Sequence, residues 1–576
     1  MVIPASRGKF GRLVKSLRPL ANSEADGPRR LVLAILHLWK KSEYPLLAGR
    51  APRGTRSFLE AVGVHNFSAW LATQSFNDAA YWLATAYAQW VGAAMRTQQA
   101  LFFTPPKLAD RVLDDLLARG ASLTDAHWHD PACGGAAFLV PTAQRMAEAL
   151  TRAGFGSKKV LEKLQKQLSG SDLDSNLLEV SEQFLQMALY PHIVATGQVP
   201  VFKLRKVDGL LAVFDAGAAP DVVVCNPPYR KLSAEEAKKY AAIFHDVIYG
   251  QPNLYGLFIR KTLDIVKPGG LIGLLTPTSF LSGAYFSKLR ISLLERSDIL
   301  HLDMLSDRTS MFISVEQEIV VFVLQPRQRS QNKSPLTEIC VLSPKGKYQH
   351  VGRCRLFGTG APWPIPRSVE DSVLLSGSLD WLERLEHYGY TPKVGHLVPF
   401  RDKRNRFAKR PASKQNRHVV PIVWATDITA QGFSHGRSTK QVRTDYFVEI
   451  SNTEHSSVHH RPSVVLQRLT SNDQKHRLVA AVIPMDWQKE QGGFVAENHV
   501  IVLLTFENNP WTPELMAGIL NSAVINRLFR SISGAANVAV SELKELPLPS
   551  TSKLRKALEH NTDVNTAIIQ AFGLSQ

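Results

Sequence analysis

The sequence predicts an α/β protein: an open, Rossmann-like, doubly wound sheet with a helical N-terminal segment and a mixed α+β C-terminal domain. Three observations carry this. Between about 99 and 328, short apolar strand-like runs alternate with helical patterns, the signature of a wound sheet. Residues 1–98 run in helical periodicity, as in Arg30-Leu-Val-Leu-Ala-Ile-Leu-His-Leu-Trp39. Beyond about 330, Pro, His and short β-like runs such as Arg461–Gln467 take over, and Arg401–Arg417 sets eight basic residues against one acid. The expected domains are therefore 1–98, 99–328 and 329–576.

The totals bound the function. With 576 residues, 44% hydrophobic and 20% charged, the chain has enough apolar material for two or three cored domains. No apolar run reaches bilayer-spanning length. Residues 1–20 hold five basic residues and no acid, which reads as a basic arm, and a cytoplasmic protein is expected. Cys133, Cys225, Cys340 and Cys354 are scattered without a CxxC pair, which argues against a zinc site or a disulfide scaffold; no metal is expected. A net charge of +18 points to a polyanionic partner, nucleic acid first.

Taken in order, the candidate strands are Ala126–Asp130, a segment ending at Asp172, Asp221–Cys225, Leu271–Thr276, Ile299–Leu305 and Glu318–Gln325. Helical patterns at Ala137–Arg152, Asn176–Leu189 and Leu254–Val266 lie between them, the last closed by Lys267-Pro-Gly-Gly270. The first strand runs into Asp130-Pro-Ala-Cys-Gly-Gly-Ala-Ala-Phe138, where small residues let a ligand approach backbone and a helix N-terminus. No Lys-Ser or Lys-Thr follows, so this is not a nucleotide phosphate loop. Gly170-Ser-Asp-Leu-Asp174 ends the next strand. Asp172 is the candidate acceptor for ribose hydroxyls, and Asp174 reads as a helix cap. Val207-Asp208-Gly209 reads first as a turn and gains weight from its place in the series.

Asp221-Val-Val-Val-Cys-Asn-Pro-Pro-Tyr-Arg230 is the most informative stretch. Two prolines stiffen the end of an apolar strand and fix an Asn amide beside an aromatic ring. At the carboxyl edge of a sheet, the Asn226 oxygen and the Pro227 carbonyl could accept both hydrogens of one planar amino group. Tyr229 could stack on whatever carries it.

Together with Asp130–Phe138 upstream, this Asn-Pro-Pro-Tyr resembles the amino-methyltransferases that use S-adenosylmethionine. Leu101-Phe-Phe-Thr-Pro-Pro-Lys107 is similar to their N-terminal FxTP motif, and Met311–Ile319 to a later motif with an aromatic ahead of a strand. The motif order, with Gly518–Ser522 and Leu546–Pro549 near the end, looks like that of gamma-class (TaqI-like) DNA adenine-N6 methyltransferases of restriction–modification systems. The resemblance implies a Rossmann-like S-adenosylmethionine-dependent methyltransferase domain followed by a DNA target-recognition domain. It assigns Asn226, Pro227, Pro228 and Tyr229 to catalysis, and Tyr229 and Phe312 to stacking on a flipped-out base. It assigns Phe103, Thr104, Pro105, Asp130, Ala132, Gly134, Phe138, Asp172 and Asp208 to the cofactor. The family's glycine motif commonly reads DPACGSGAF; Ala136 replaces its last glycine, and alanine is costly at positive φ.

The implied partner is double-stranded DNA, with room for a cognate restriction endonuclease encoded separately and no role for a membrane. Candidate phosphate contacts are Arg401, Lys403, Arg404, Arg406, Lys409, Arg410 and Arg468. Cytosine-N4, RNA or protein-amide transfer are the alternatives within the fold. Glu542-Leu-Lys544 has the form of a nuclease site, but fits a loop of the recognition domain better.

Overall fold

The computed structural model describes residues 4–24, 26–92, 103–215, 217–305, 318–327, 336–342, 347–356, 360–376, 383–411, 418–437, 445–451, 455–470, 476–533 and 537–573. The chain divides into two compact units: Met1–Phe280 with Tyr285–Gly360, and Leu281–Ala284 with Ala361–Gln576.

The first unit is organised by a nine-stranded sheet of β1 (Trp128–Asp130), β2 (Leu168–Asp172), β3 (Lys203–Lys206), β4 (Val222–Cys225), β5 (Leu271–Pro277), β6 (Ser297–Leu305), β7 (Ile319–Pro326), β8 (Thr337–Leu342) and β9 (Tyr348–Cys354). Their spatial order is β3-β2-β1-β4-β5-β7-β6-β8-β9. The first five strands are mutually parallel. The expected doubly wound sheet is not parallel throughout: β7 lies antiparallel between β5 and β6. Strand direction depends on the connection, and a run such as Ile319–Leu324, buried on both faces, carries no directional signal. The sheet also continues past 328: β8 pairs parallel to β6, and β9 closes the edge.

The N-terminal helices are α1 (Pro4–Ala21), α2 (Gly27–Glu43), α3 (Arg56–Leu59), α4 (Val62–Ala72) and α5 (Phe76–Trp90). Their Trp39, Trp70, Trp82 and Trp90 share one apolar core with Trp128, Phe138 and Val222. The wound region continues with α6 (Pro106–Ala118), α7 (Leu139–Arg152), α8 (Ser157–Gln167), α9 (Ser175–Ala188), α10 (Tyr190–Thr196), α11 (Ala234–Phe244) and α12 (Leu254–Ile265). Polar ties lock α2 to α9: Arg29 pairs with Glu179 at 2.8 Å, and Lys40 donates to Gln183 at 2.7 Å.

A buried ionic cluster fastens α6 to the sheet. The Arg111 guanidinium grips both Asp303 oxygens, and Asp303 meets His301 Nε2 at 2.6 Å. Arg119 reaches Glu338 at 2.7 Å. Burial, reinforced by the Asp303 charge, pushes the Asp115 carboxyl up to about 7. Losing one partner here would leave a buried charge uncompensated, so the cluster fixes the register of α6 against β6.

The second unit has a four-stranded antiparallel sheet, in the order Thr391–Val394, Val500–Leu504, Ser463–Gln467 and Ala480–Ile483. Helices Pro513–Asn521, Ala523–Ile532 and Val564–Ala571 contribute to a core with it. A five-stranded sheet, which includes Arg406–Phe407 and Phe447–Ile450, completes the mixed α+β character.

Candidate active site

The loop after β1 is shaped by two positive-φ residues. Gly134 (φ 49°) brings backbone to the Phe103 ring, where an added Cβ would lie 3.4 Å from the ring. Ala136 (φ 58°) adopts the left-handed region with a methyl group and no exposure, where the related motif carries glycine. Gly135 abuts α5, so that an added Cβ would sit 3.0 Å from that of Ala84. Gly209 is tighter: a Cβ there would stand 2.1 Å from the Pro131 carbonyl oxygen. The turn after β3 is thereby pressed onto the loop after β1.

The acids at the strand ends hold this loop. Asp172 accepts from Gly134 N and Asp174 N, each at 2.9 Å. Asp174 caps α9 through Asn176 N at 2.8 Å and Leu177 N at 3.4 Å, as the sequence suggested, and also takes the Tyr87 hydroxyl at 3.0 Å. Asp130 accepts from Ala132 N at 3.0 Å. Burial, with the nearby Asp172 charge adding, pushes the Asp130 carboxyl up to about 8; burial also raises Asp172.

At the end of β4, Asn226 is held at both ends of its amide. Its Nδ2 donates to Thr104 Oγ1 at 2.9 Å, and its Oδ1 accepts from the Tyr229 hydroxyl at 2.5 Å. That hydroxyl also lies 2.8 Å from the Leu275 carbonyl oxygen, so one hydrogen serves two acceptors. The Tyr229 ring meets Tyr255 edge-on, with centroids 6.1 Å apart, and burial raises its phenol well above the ordinary range. Pro227 is buried.

These elements surround one cavity of about 960 Å³. Phe103, Thr104, Asp130, Ala132, Gly134, Phe138, Asp172, Asp208, Asn226 and Pro228 all line it; Pro105, Pro227 and Tyr229 do not. Sequence reasoning missed its apolar wall of Leu173, Leu177, Leu210 and Phe258. Leu173 is 67% exposed, an apolar side chain between two acids at a strand end, and that placement was the available signal. It also missed α11, whose Tyr240 donates to Asp208 at 2.7 Å beside Lys239 at 3.0 Å. The capping box of Ser233 and Glu236, with Arg230 on both Glu236 oxygens at 2.8 and 2.5 Å, orders the entry to that helix. Phe312 lies outside the described residues.

Against the expectation of no metal, the described residues hold a cluster of metal-ligating types. His301 and Asp303 on β6 and Cys340 on β8 place ligand atoms within 4.8 Å of one another because the two strands pair. Arg111 already supplies Asp303 with positive charge there.

In the second unit the predicted phosphate contacts divide. Arg401, Lys403, Lys409 and Arg410 are exposed. Arg404 is held by Asp402 and Ser457, Arg406 by the Pro399 carbonyl, and Arg468 by the Asn498 carbonyl. Arg410 also donates to Gln491 Oε1 at 2.8 Å. Glu542 sits buried on the short helix Val540–Lys544, accepts from Ala539 N, and is pushed up to about 6 by burial. A carboxylate so enclosed is a helix cap rather than a nuclease ligand.

Residues 60–312 match the family model of the Eco57I restriction-modification methylases. The chain is 23% identical over 350 residues to the type II methyltransferase M.BsuBI of Bacillus subtilis, covering 57% of this chain and 64% of that relative. It is also 23% identical over 348 residues to the type II methyltransferase M.PstI of Providencia stuartii, covering 58% and 65%. The matched part thus spans just under two thirds of these relatives' length. Among solved structures, the type IIL restriction-modification enzyme MmeI in complex with DNA superposes with a TM-score of 0.53 at 11% identity, over 86% of this chain and 79% of that one. The sheet order and the family match together identify the S-adenosylmethionine-dependent methyltransferase fold.

Proposed function

We propose that this chain transfers a methyl group from S-adenosylmethionine to N6 of an adenine flipped out of duplex DNA, as the modification activity of a restriction–modification system. The observation that carries the reading is Asn226: a rigidly held amide at a strand end, lining the same cavity as the glycine loop and its acids. The similarity to type II methyltransferases supports it.

The cavity suits the cofactor. The carboxyl of buried Asp130 is matched to the ammonium of a methionine moiety, the Asp172 edge to ribose hydroxyls, and the apolar wall of Leu173, Leu210 and Phe258 to an adenine ring. When bound, S-adenosylmethionine supplies an electrophilic methyl group. The chain's own task is positioning.

An exocyclic amino nitrogen is a poor nucleophile because its lone pair is delocalised into the ring. Asn226 Oδ1 and the Pro227 carbonyl accept its two hydrogens, favour a pyramidal nitrogen and concentrate that lone pair. Oδ1 accepts from the Tyr229 hydroxyl in this structure. That hydroxyl keeps the Leu275 carbonyl as a second acceptor, so Oδ1 can turn to substrate without leaving a buried hydroxyl unpaired. Tyr229 and Phe312 are proposed to stack on the base, and Arg401, Lys403, Lys409 and Arg410 to contact phosphates.

The test is Asn226→Ala. Methyl transfer to unmethylated duplex should be lost while cofactor affinity stays within a few-fold of wild type. Retained transfer would refute the assigned role.

A further inference from the structure

Phe400 is 81% exposed at the tip of a turn whose backbone is pinned. Arg401 N and Asp402 N both donate to the Val398 carbonyl at 2.9 Å, and Pro399 fixes the approach. Arg406 Nη1 donates to the Pro399 carbonyl at 2.7 Å, and its Nε lies 3.3 Å from Asp445. Arg404 clasps Asp402 through Nε at 3.0 Å and Nη2 at 2.6 Å, and adds Ser457 Oγ at 3.0 Å. Two arginines thus brace both ends of a turn that presents a large apolar ring to water.

Single exposed hydrophobic residues are ordinary on protein surfaces. This one is distinguished by the rigidity of its mount and by what surrounds it. The Arg401 guanidinium lies 5.3 Å from the ring centroid, and Lys403 and Lys409 are exposed on the same segment. An apolar protein surface docking on the ring would have to desolvate those cations. A polynucleotide offers phosphates to them and a π-face to the ring.

We propose that Phe400 is a base-stacking residue: its ring packs against, or wedges between, bases of the bound duplex while Arg401 and Lys403 hold the flanking phosphates. This rests on the DNA reading above and deepens it. Arg404 and Arg406 build the mount and do not themselves grip the backbone.

The test uses the full chain, random-sequence duplex DNA and heparin, a polyanion without bases. Replacing so exposed a ring leaves the fold intact, which circular dichroism would verify. F400A should bind duplex roughly tenfold more weakly with an unchanged salt slope, because stacking is lost and no phosphate contact is. F400W should restore affinity, and its added fluorescence over wild type should be quenched by duplex and not by heparin. The double variant R401A/K403A should instead lower the salt slope by about two. A wild-type chain without affinity for duplex overturns the DNA reading itself. Wild-type binding with F400A unchanged, or F400W emission unquenched by duplex, overturns only the stacking role.

Discussion

Thr104→Val isolates the hydrogen bond that orients the proposed catalytic amide. Thr104 is 3% exposed, and its hydroxyl oxygen accepts from Asn226 Nδ2 across 122 positions of sequence. Valine preserves shape and removes the acceptor that the Thr104 hydroxyl offers to Asn226 Nδ2. Such a loss costs about 1–3 kcal/mol. If that cost falls on the productive orientation of Asn226, kcat drops between about 5- and 150-fold at 1.4 kcal/mol per decade. Thr104→Ser keeps the hydroxyl and should stay within a few-fold of wild type. The assay is single-turnover transfer at saturating cofactor and DNA, with cofactor affinity measured separately by calorimetry. A Thr104→Val enzyme with wild-type kcat, or a serine variant equally impaired, would refute the positioning argument.

Ala136→Gly should stabilise the cofactor-free protein by up to about 1 kcal/mol in urea unfolding, because it relieves a left-handed alanine at some entropic cost; destabilisation would contradict the strain at φ 58°. Asp130, pushed up to about 8 by burial, contributes stability that is present below the unfolded carboxyl value near 4 and lost as pH rises through 8. Relative to Asp130→Asn, wild type should therefore lose about 1 kcal/mol per pH unit between pH 5 and 8, and parallel stability curves would show that Asp130 ionises normally. Since the cofactor ammonium favours ionised Asp130, binding should release a proton and tighten from pH 6 to 8; affinity flat across that range would argue against the pairing. Gly209→Ala drives a methyl group into the Pro131 carbonyl and should weaken cofactor binding by more than tenfold, as titration calorimetry would read; undiminished affinity would mean that the contact does not shape the site.

What was legible in the sequence is what is local. The apolar run 222–225 followed by two prolines announces a strand end with a fixed amide. Strand ends place Asp130, Asp172, Asp208 and Asn226 on one edge because the first five strands are parallel. Partners across long separations were not legible. Nothing near Asp172 signals that its carboxylate staples Gly134, and nothing near Asp208 signals Tyr240. The antiparallel β7 depends on its connection, and β8 and β9 mix polar with apolar residues and so do not read as a continuation of the same sheet. The same holds in the basic run: the sequence offers Arg404 and Arg406 as candidate phosphate contacts, and does not show that the fold pairs them with Asp402 and the Pro399 carbonyl.

The most direct measurement is transfer of labelled methyl from S-adenosylmethionine to unmethylated duplex DNA, followed by digestion and nucleoside analysis. The geometry at Asn226 and Pro227 predicts label in N6-methyladenine. Label in N4-methylcytosine, in RNA or in protein, or no transfer to DNA at all, would contradict it.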